Sequence, residues 1–142
     1  MMYQEGQLLR FTPFVFKNGA KPKPKYFIVL KHLDDKLIMA SLPTSQDHIP
    51  SDVTYSSGCL SLPERSVNAY VFMPNEVVTD TFSFVKPTFV YGEQVDEYAQ
   101  KYLDEMNTTI EDLGVIHHEL FIQLKECLKQ SVLLKRKYRK LL

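Results

Sequence analysis

Up to about residue 91, the apolar positions of the chain fall in short runs rich in valine, isoleucine, phenylalanine and tyrosine. The runs are QLLRFTPFVF, YFIVL, KLIMASL, NAYVFM and EVVTDTFSFV, and they are separated by KNGAKPKP, LDDK, PTSQDHIP and SSGCLSLPE. Apolar runs between turn-forming residues are typical of β-strands. Five or six short strands with no helical pattern between them predict a small, curled antiparallel barrel over residues 1–92.

After residue 92 the apolar positions change to a helical spacing. The residues at this spacing are Val95, Tyr98, Tyr102 and Met106, followed by Leu113, Ile116, Leu120, Leu124, Cys127 and Leu128. A recurrence every three or four residues predicts amphipathic helices. The sequence TTIE, which starts at Thr108, has the spacing of a capping box and predicts a helix start. Gly114 is expected to interrupt this segment and to delay the longer helix to about His117.

These patterns predict a mainly β protein with C-terminal helices. We expect one domain over residues 1–142, in which the barrel of residues 1–92 is followed by a helical extension of two or three helices over residues 93–142. The length of 142 residues and the hydrophobic fraction of 44% suit a single globular domain. No apolar run approaches the roughly 18 residues of a membrane span, and the N-terminal sequence lacks a secretory signal, so a cytoplasmic location is expected.

Several common catalytic motifs are absent from the sequence. GxGxxG, GxxxxGK[ST], HExxH and GxSxG do not occur, so we expect neither a cofactor nor a metal. His117 and His118 are adjacent and would point about 100° apart on a helix, which disfavours a shared metal. Cys59 and Cys127 lie far apart without metal-ligand spacing, and we interpret them as two free thiols in or near the core.

The net charge is zero, but the charges are unevenly distributed. Residues 6–33 hold six basic side chains and no acidic one, whereas residues 93–119 hold eight acidic side chains against Lys101. A neutral protein with a basic first third can present a local anion-binding face. The basic C-terminal sequence KRKYRK, residues 135–140, is interpreted as a solvated helix end.

The basic run and a group of hydroxyl side chains are predicted to meet at one end of the sheet. KPKPKYFIVL is followed, across the short hairpin KHLDDK, by LIMASLPTSQDH. Antiparallel pairing carries Lys25 and the Thr44–Ser45 pair to the same end of the sheet. The side chains expected there are Lys21, Lys23, Lys25, Thr44, Ser45 and His48, and Arg10 is a further substrate-binding candidate. Alternatively, the lysines belong to a solvated loop and PTSQD is a simple turn.

This set of side chains suits a phosphodiester. Lysines supply positive charge for phosphate oxygens, hydroxyl groups donate hydrogen bonds to developing oxyanion charge, and a histidine exchanges protons near neutral pH. Pro22 and Pro24 lower the entropy that is lost when the lysines are held in place. Tyr26, Tyr55 and Phe16 lie near the candidate loops and are considered for base stacking, without an assignment.

The order of features resembles the MazF/PemK-like toxins, which are plasmid-maintenance or growth-inhibitor endoribonucleases. The similar segments are GQLLRF at 6–11, KYFIVL at 25–30, ASLPTSQD at 40–47 and the closing segment LGVIHHELFIQLKECLKQS at 113–131. The resemblance implies an SH3-like barrel with added helices, a homodimer, metal-independent and sequence-selective cleavage of single-stranded RNA, and neutralisation by a cognate antitoxin.

The resemblance also implies roles for particular residues. The arginine of the family falls on Lys25, with Tyr26 in place of the following proline, and the catalytic threonine or serine falls on Thr44 or Ser45. The implied reaction is attack of the ribose 2′-hydroxyl on the adjacent phosphate. Lysine supplies charge but not the planar, bidentate grip of arginine, so Lys23 or His48 is a candidate to share the proton transfer.

Two further hypotheses stay open beside the ribonuclease toxin. One is a non-catalytic nucleic-acid-binding or phosphate-binding module on the same barrel. The other is a protein-interaction subunit in which the helices of residues 93–134 make the contacts and the lysine loop has no direct role. Cleavage of single-stranded RNA separates the first hypothesis from the other two.

Overall fold

The computed structural model describes residues 2–43 and 49–142 of the chain. Within these residues the strands are β1 (Gln7–Phe14), β2 (Lys23–His32), β3 (Lys36–Ser41), β4 (Gly58–Leu62), β5 (Val67–Phe72), β6 (Thr88–Tyr91), β7 (Val95–Ala99) and β8 (Thr109–Val115). The α-helices are α1 (Gln100–Glu105), α2 (His118–Lys129) and α3 (Arg136–Arg139). Each of these helices is too short or too polar to span a lipid bilayer.

The strands form two antiparallel sheets. Sheet A has the order β7-β3-β2-β1-β8, and sheet B has the order β4-β5-β6. Neighbouring strands pair antiparallel throughout both sheets. The prediction of a mainly β protein with C-terminal helices is therefore confirmed.

Strand β2 is the centre of sheet A, and both of its faces are covered. Phe27 and Val29 belong to one apolar cluster, while Ile28 and Leu30 belong to another on the opposite face. All four side chains are fully buried. A strand that is buried on both faces needs a continuous apolar run instead of an alternating one, which explains the sequence YFIVL.

Helix α2 joins the two sheets into one core. Leu124 and Leu128 are fully buried in the cluster that contains Ile28 of sheet A and Phe72 of sheet B. The helix begins at His118, so the prediction of a long helix from about His117 is confirmed. Buried leucines at this spacing each stabilise the fold by roughly 1.5–3 kcal/mol.

The prediction of helices throughout residues 93–142 is only partly confirmed in its first half, where α1 is a helix but the segments on either side of it form strands β7 and β8. Val95 and Tyr98, which would share one face of a helix, instead pack into apolar clusters on opposite faces of sheet A. This happens because β7 pairs with the open edge of β3, where Glu97 lies opposite Ile38 and its carboxylate accepts a hydrogen bond from Lys36 at 3.2 Å. Sheet pairing thus overrides a weak helical spacing.

The capping-box prediction at Thr108 is also wrong. Residues 109–115 form β8, which pairs with β1, and the Thr108 hydroxyl donates to the Pro13 carbonyl instead of accepting from a helix amide. Two strands from beyond residue 92 therefore complete sheet A. The predicted division into a β-barrel and a helical extension does not match the sheet, which uses strands from both parts of the chain.

Two strand assignments in the first half of the chain also need correction. The run EVVTDTFSFV at 76–85 forms irregular chain instead of a strand, because its backbone turns at residues 78–82, where both Val78 and Thr79 donate to the Phe82 carbonyl at 3.2 Å. Conversely, the segment predicted as a turn around Cys59 contains β4, which pairs with β5 through its backbone. The turn-forming residues Ser56, Ser57 and Gly58 at its start favour the prediction of a turn instead of this edge strand.

The expectation of two free thiols is wrong. Cys59 of β4 and Cys127 of α2 form a disulfide, with Cα atoms 5.5 Å apart and a sequence separation of 68. The pairing of these two cysteines could not be predicted from their spacing, because β4 and α2 come together only in the folded protein. The disulfide fastens the edge of sheet B to the helix that packs on it.

The basic C-terminal segment is docked on the protein instead of being a solvated end. The Arg139 guanidinium donates to the carbonyls of Lys129, Ser131 and Leu134 at 3.1, 2.6 and 3.2 Å. These carbonyls lie at and just beyond the C-terminus of α2, where the helix dipole favours a cation. The Tyr138 hydroxyl, 2.9 Å from Asp96, ties the same segment to β7.

Candidate functional site

A pocket of about 310 Å³ opens where β1, β2 and the end of β3 meet the segment before β6. The residues that line this pocket include Arg10, Tyr26, Pro43, Phe82, Phe84 and Lys86. We call it the Arg10 pocket. It combines cationic side chains with aromatic rings, which is the combination that single-stranded nucleic acids require.

Antiparallel pairing brings Arg10 and Tyr26 together. The two residues are direct cross-strand partners on β1 and β2, and the guanidinium carbon of Arg10 lies 5.7 Å from the centre of the Tyr26 ring. On the other side, Glu111 is the cross-strand partner of Arg10 on β8, and its Oε1 accepts from Arg10 Nη1 at 3.3 Å. The guanidinium is therefore oriented by a ring and by a carboxylate.

Part of the hydrogen-bonding capacity of this face is unused. Within the described residues, Arg10 Nε and Thr12 Oγ1 are buried and have no hydrogen-bond partner. Thr12 follows two positions after Arg10 on β1, so both side chains project from the same face of the strand. Unpartnered buried polar atoms cost about 1–3 kcal/mol each, so this face of β1 carries a local cost in stability.

Aromatic rings form the wall opposite the guanidinium. The Tyr26 ring lies 5.9 Å from both the Phe82 and the Phe84 rings, which are themselves 5.0 Å apart in an edge-to-face arrangement. Phe84 is almost fully buried, whereas Tyr26 and Phe82 are half-buried and keep part of their surface in the pocket. A planar base has two partly exposed rings to stack on.

The predicted catalytic hydroxyls of Thr44 and Ser45, and His48, lie outside the described residues. The preceding residue, Pro43, lines the Arg10 pocket. One position earlier, the Leu42 amide donates to the Tyr26 carbonyl at 3.0 Å. The chain therefore enters the hydroxyl-bearing segment at the edge of the pocket, beside the end of β2 that the sequence predicted.

Lys25 projects from the opposite face of β2. Both of its neighbours, Pro24 and Tyr26, line the Arg10 pocket, but Lys25 pairs with Phe11 on the side of the sheet that contains Phe27. Its side chain is only 9% exposed. Burial lowers the pKa of the Lys25 amine below its ordinary value, and the charge of Lys23 lowers it further. The sheet thus separates the predicted cation Lys25 from the predicted cation Arg10.

Comparison of the chain with protein-family models, with curated proteins and with solved structures gave no match. The function is therefore inferred from the geometry of the site.

The other predicted lysines follow Lys25 to the far face of sheet A or to the loop before it. The Lys23 amine lies 6.0 Å from the Phe16 ring, and Lys21 is exposed in the loop before β2. Lys17, which was not a sequence candidate, lies 5.4 Å from the Tyr98 ring and 5.7 Å from the Tyr102 ring. These lysines form a second basic and aromatic surface, behind the Arg10 pocket.

Sequence reasoning missed the contribution of Phe82, Phe84 and Lys86. The alternation in TFSFVK was interpreted as a strand, although its aromatic residues line a pocket. A usable signal was the unusual density of phenylalanine beside a lysine in a segment bounded by Asp80 and Pro87. In the described residues, no group of three or more metal-ligating side chains is formed.

Proposed function

We propose that the protein binds single-stranded RNA in the Arg10 pocket and cleaves it, as the toxin component of a toxin–antitoxin pair. The observation that carries the proposal is the guanidinium of Arg10 beside the Tyr26 ring, at the edge where the Thr44–Ser45 segment begins. Phosphate binding needs the guanidinium, and base binding needs the rings. The hydroxyl-bearing segment would supply the groups that act on the phosphate.

The proposed reaction is an internal transesterification. The ribose 2′-oxygen attacks the adjacent phosphorus while a base accepts the 2′-hydroxyl proton, and the bond from phosphorus to the 5′-oxygen breaks. The products are a 2′,3′-cyclic phosphate and a 5′-hydroxyl, whose oxygen takes up one proton. In this scheme Thr44 or Ser45 donates a hydrogen bond to a non-bridging oxygen, and His48 exchanges the protons.

In this proposal Arg10 supplies the guanidinium that is absent at position 25. Arginine donates two parallel hydrogen bonds to phosphate oxygens, which lysine does not. The Arg10 side chain keeps 36% of its surface exposed at the pocket, so part of the guanidinium is accessible to a phosphate, while Nη1 is held by Glu111. Lys25 remains a predicted catalytic residue, and variants of the two residues discriminate between them.

The rest of the resemblance belongs to the same proposal. It includes the SH3-like arrangement of the strands, a homodimer, an antitoxin partner and a cytoplasmic location. The two-sheet, mainly β architecture supports only the coarse fold class in this set.

A second candidate function is binding of RNA or another phosphate ligand without cleavage. It is favoured by the orientation of Lys25, because the residue at the arginine position of the family faces away from the Arg10 pocket. In that case RNA affinity falls steeply as salt concentration rises, but the RNA stays intact.

The proposal is tested by comparing RNA cleavage by three variants. Arg10→Ala is expected to lower the cleavage rate about 100-fold or more, the usual effect of removing a donor to transition-state charge. Arg65→Ala is the matched control, since Arg65 is an exposed arginine whose guanidinium pairs with Asp52 at 2.9 Å away from the pocket. Lys25→Ala tests the catalytic role that the sequence predicts for Lys25. Wild-type cleavage by Arg10→Ala would refute the role of the pocket.

A further inference from the structure

The disulfide between Cys59 and Cys127 has one accessible end. Cys59 is exposed on β4, an edge strand of sheet B, whereas Cys127 of α2 is only 1% exposed. A cavity of about 230 Å³, lined by Thr54, Tyr55 and Ser56, adjoins Cys59. Cys59, exposed and beside this cavity, is therefore the end of the disulfide at which we expect a small thiol to attack.

We propose that this disulfide is a redox-sensitive modification site, opened by thiol reductants at Cys59, and that its state controls the order of the Arg10 pocket. Control of RNA binding rests on the proposed function, whereas the coupling between disulfide and pocket does not. Disulfides are uncommon in the cytosol, where those that do occur are mostly transient, catalytic or redox-sensing. A disulfide in a protein proposed to act there therefore has a candidate role beyond static stabilisation.

The reduction is an ordinary thiol–disulfide exchange. The thiolate of the reductant attacks Cys59 Sγ, the sulfur–sulfur bond breaks, and the Cys127 sulfur leaves and takes up a proton. A second reductant thiol then attacks the mixed disulfide and releases Cys59 as a thiol. Two reductant thiols are oxidised to one disulfide, and the protein gains two hydrogen atoms. Because Cys127 leaves into the core, where a thiolate is disfavoured, we expect this reduction to be slow.

A row of side chains connects α2 to the Arg10 pocket. The Tyr70 hydroxyl donates to the side-chain oxygen of Gln123 on α2 at 3.2 Å. The Tyr70 ring lies 5.1 Å from the Phe72 ring, and the Phe72 ring lies 5.7 Å from the Phe84 ring. Phe84 lines the Arg10 pocket. Packed rings thus form a continuous series of contacts from α2 to the wall of the pocket.

Reduction removes the covalent link between β4 and α2, the helix at one end of this row. Strand β4 then keeps its ladder to β5 and its packing on α2, without the covalent link. As an edge strand, β4 is held through one ladder and opens more easily than a central strand. Once α2 is less firmly held on sheet B, Tyr70 and Phe72 are less fixed and the Phe84 wall is less ordered. We therefore expect the oxidised protein to have the ordered pocket and the higher RNA affinity.

The experiment compares oxidised protein, protein reduced with dithiothreitol, and the variant Cys59→Ser/Cys127→Ser. Alkylation and mass measurement establish the redox state of each sample. Three quantities are then measured: the melting temperature, hydrogen exchange of residues 82–88, and binding of a fluorescent single-stranded RNA. A Gln123→Ala variant, which keeps the disulfide but breaks the contact with Tyr70, tests the connecting row.

The proposal predicts that reduction lowers the melting temperature by roughly 10 °C, as expected for loss of a disulfide that closes a long loop. It also predicts faster exchange at residues 82–88 and RNA binding that is at least about fivefold weaker, a modest coupling between sites. The double variant should match reduced protein and should not respond to dithiothreitol. Gln123→Ala in the oxidised state should show part of the increase in exchange.

A lower melting temperature with unchanged exchange at residues 82–88 would overturn the proposal, because the disulfide would then be only a static link. Unchanged RNA affinity in both redox states would likewise overturn regulation of binding. If neither redox state binds RNA but exchange at 82–88 still rises on reduction, the proposed function fails and the coupling stands. Should the double variant fail to fold, the comparison of oxidised and reduced wild-type protein still decides.

Discussion

The guanidinium of Arg10 lies over the ring of Tyr26, its direct partner on the neighbouring strand, with 5.7 Å between the guanidinium carbon and the ring centre. A cation over a ring is stabilised by about 0.5–1 kcal/mol at an exposed site and by more where water is excluded. The arrangement also places a charged group and a stacking surface within the reach of one nucleotide. It is the feature from which the account of function is built.

Replacing Phe82, one of the two half-buried rings of the pocket, should weaken RNA binding. Phe82→Ala is expected to lower affinity for single-stranded RNA by roughly 5- to 100-fold, which corresponds to about 1–3 kcal/mol for one stacked base. Phe82→Tyr keeps the ring and is the matched control, with affinity close to that of the wild type. Equal loss of affinity in both variants would contradict stacking at this position. Fluorescence anisotropy with a labelled oligonucleotide measures the effect.

Lys25→Met should make the protein more stable. Lys25 is 9% exposed, and it forms no ion pair with the described residues. Most of the Lys25 residue is removed from water and burial disfavours its charged form, so an apolar side chain of similar length should raise the free energy of unfolding by up to about 1 kcal/mol. Urea denaturation at pH 7 measures the change. A clear loss of stability would mean that Lys25 has a favourable partner.

The strands with the strongest apolar patterns could be predicted from the sequence. YFIVL and KLIMASL each fill a strand with β-branched or large apolar residues, and the intervening LDDK is a turn. The two strands of the C-terminal half could not be predicted, because their identity depends on partners. Val95 begins a strand because β3 has an open edge with which β7 pairs. Ile110 lies in a strand because β1 has an open edge with which β8 pairs.

The candidate site was only partly predictable for a similar reason. Sequence order predicts that Lys25 and the hydroxyl segment lie at the same end of the sheet. The Leu42 amide donates to the Tyr26 carbonyl at that end, and Thr44 and Ser45 themselves lie outside the described residues. Which lysines face which side depends on strand alternation and register. A shift of one residue exchanges the faces, so the pairing of Arg10 with Tyr26 was not accessible without the register of β1 on β2.

Stability should fall at alkaline pH through buried tyrosine hydroxyls. Burial raises the pKa of Tyr98 to about 12, and the nearby Asp96 charge contributes to the increase. Because the folded-state pKa lies above the unfolded value of about 10, the unfolded state loses its proton first as pH rises. The stabilisation is therefore complete below pH 10 and is lost between about pH 10 and 12, at up to about 1.4 kcal/mol per pH unit.

The matched test of this prediction is Tyr98→Phe. The variant lacks the titrating hydroxyl, so its free energy of unfolding should fall less steeply between pH 10 and 12 than that of the wild type. The remaining decline is expected from Tyr3, whose pKa burial raises to about 12 as well. Parallel pH profiles for wild type and variant would contradict the assignment to Tyr98.

Gly92 is required for the docking of the C-terminal segment. A Cβ atom at this position would lie 2.7 Å from the Ser131 hydroxyl oxygen and 2.8 Å from the Ser131 Cβ. Gly92→Ala should therefore destabilise the protein by about 1–3 kcal/mol. In a Ser131→Gly background the two closest atoms are removed, and the same substitution should cost less. An equal cost in both backgrounds would show that the contact is not responsible.

The most direct test of the central claim is the chemistry of the RNA ends after incubation of a single-stranded RNA with the protein in EDTA. The account predicts fragments with 2′,3′-cyclic phosphate and 5′-hydroxyl ends from the wild type. It also predicts a cleavage rate lowered about 100-fold or more in Arg10→Ala and in Thr44→Ala/Ser45→Ala, while Arg65→Ala cleaves like the wild type. Intact RNA at high protein concentration, or undiminished cleavage by Arg10→Ala, would contradict it.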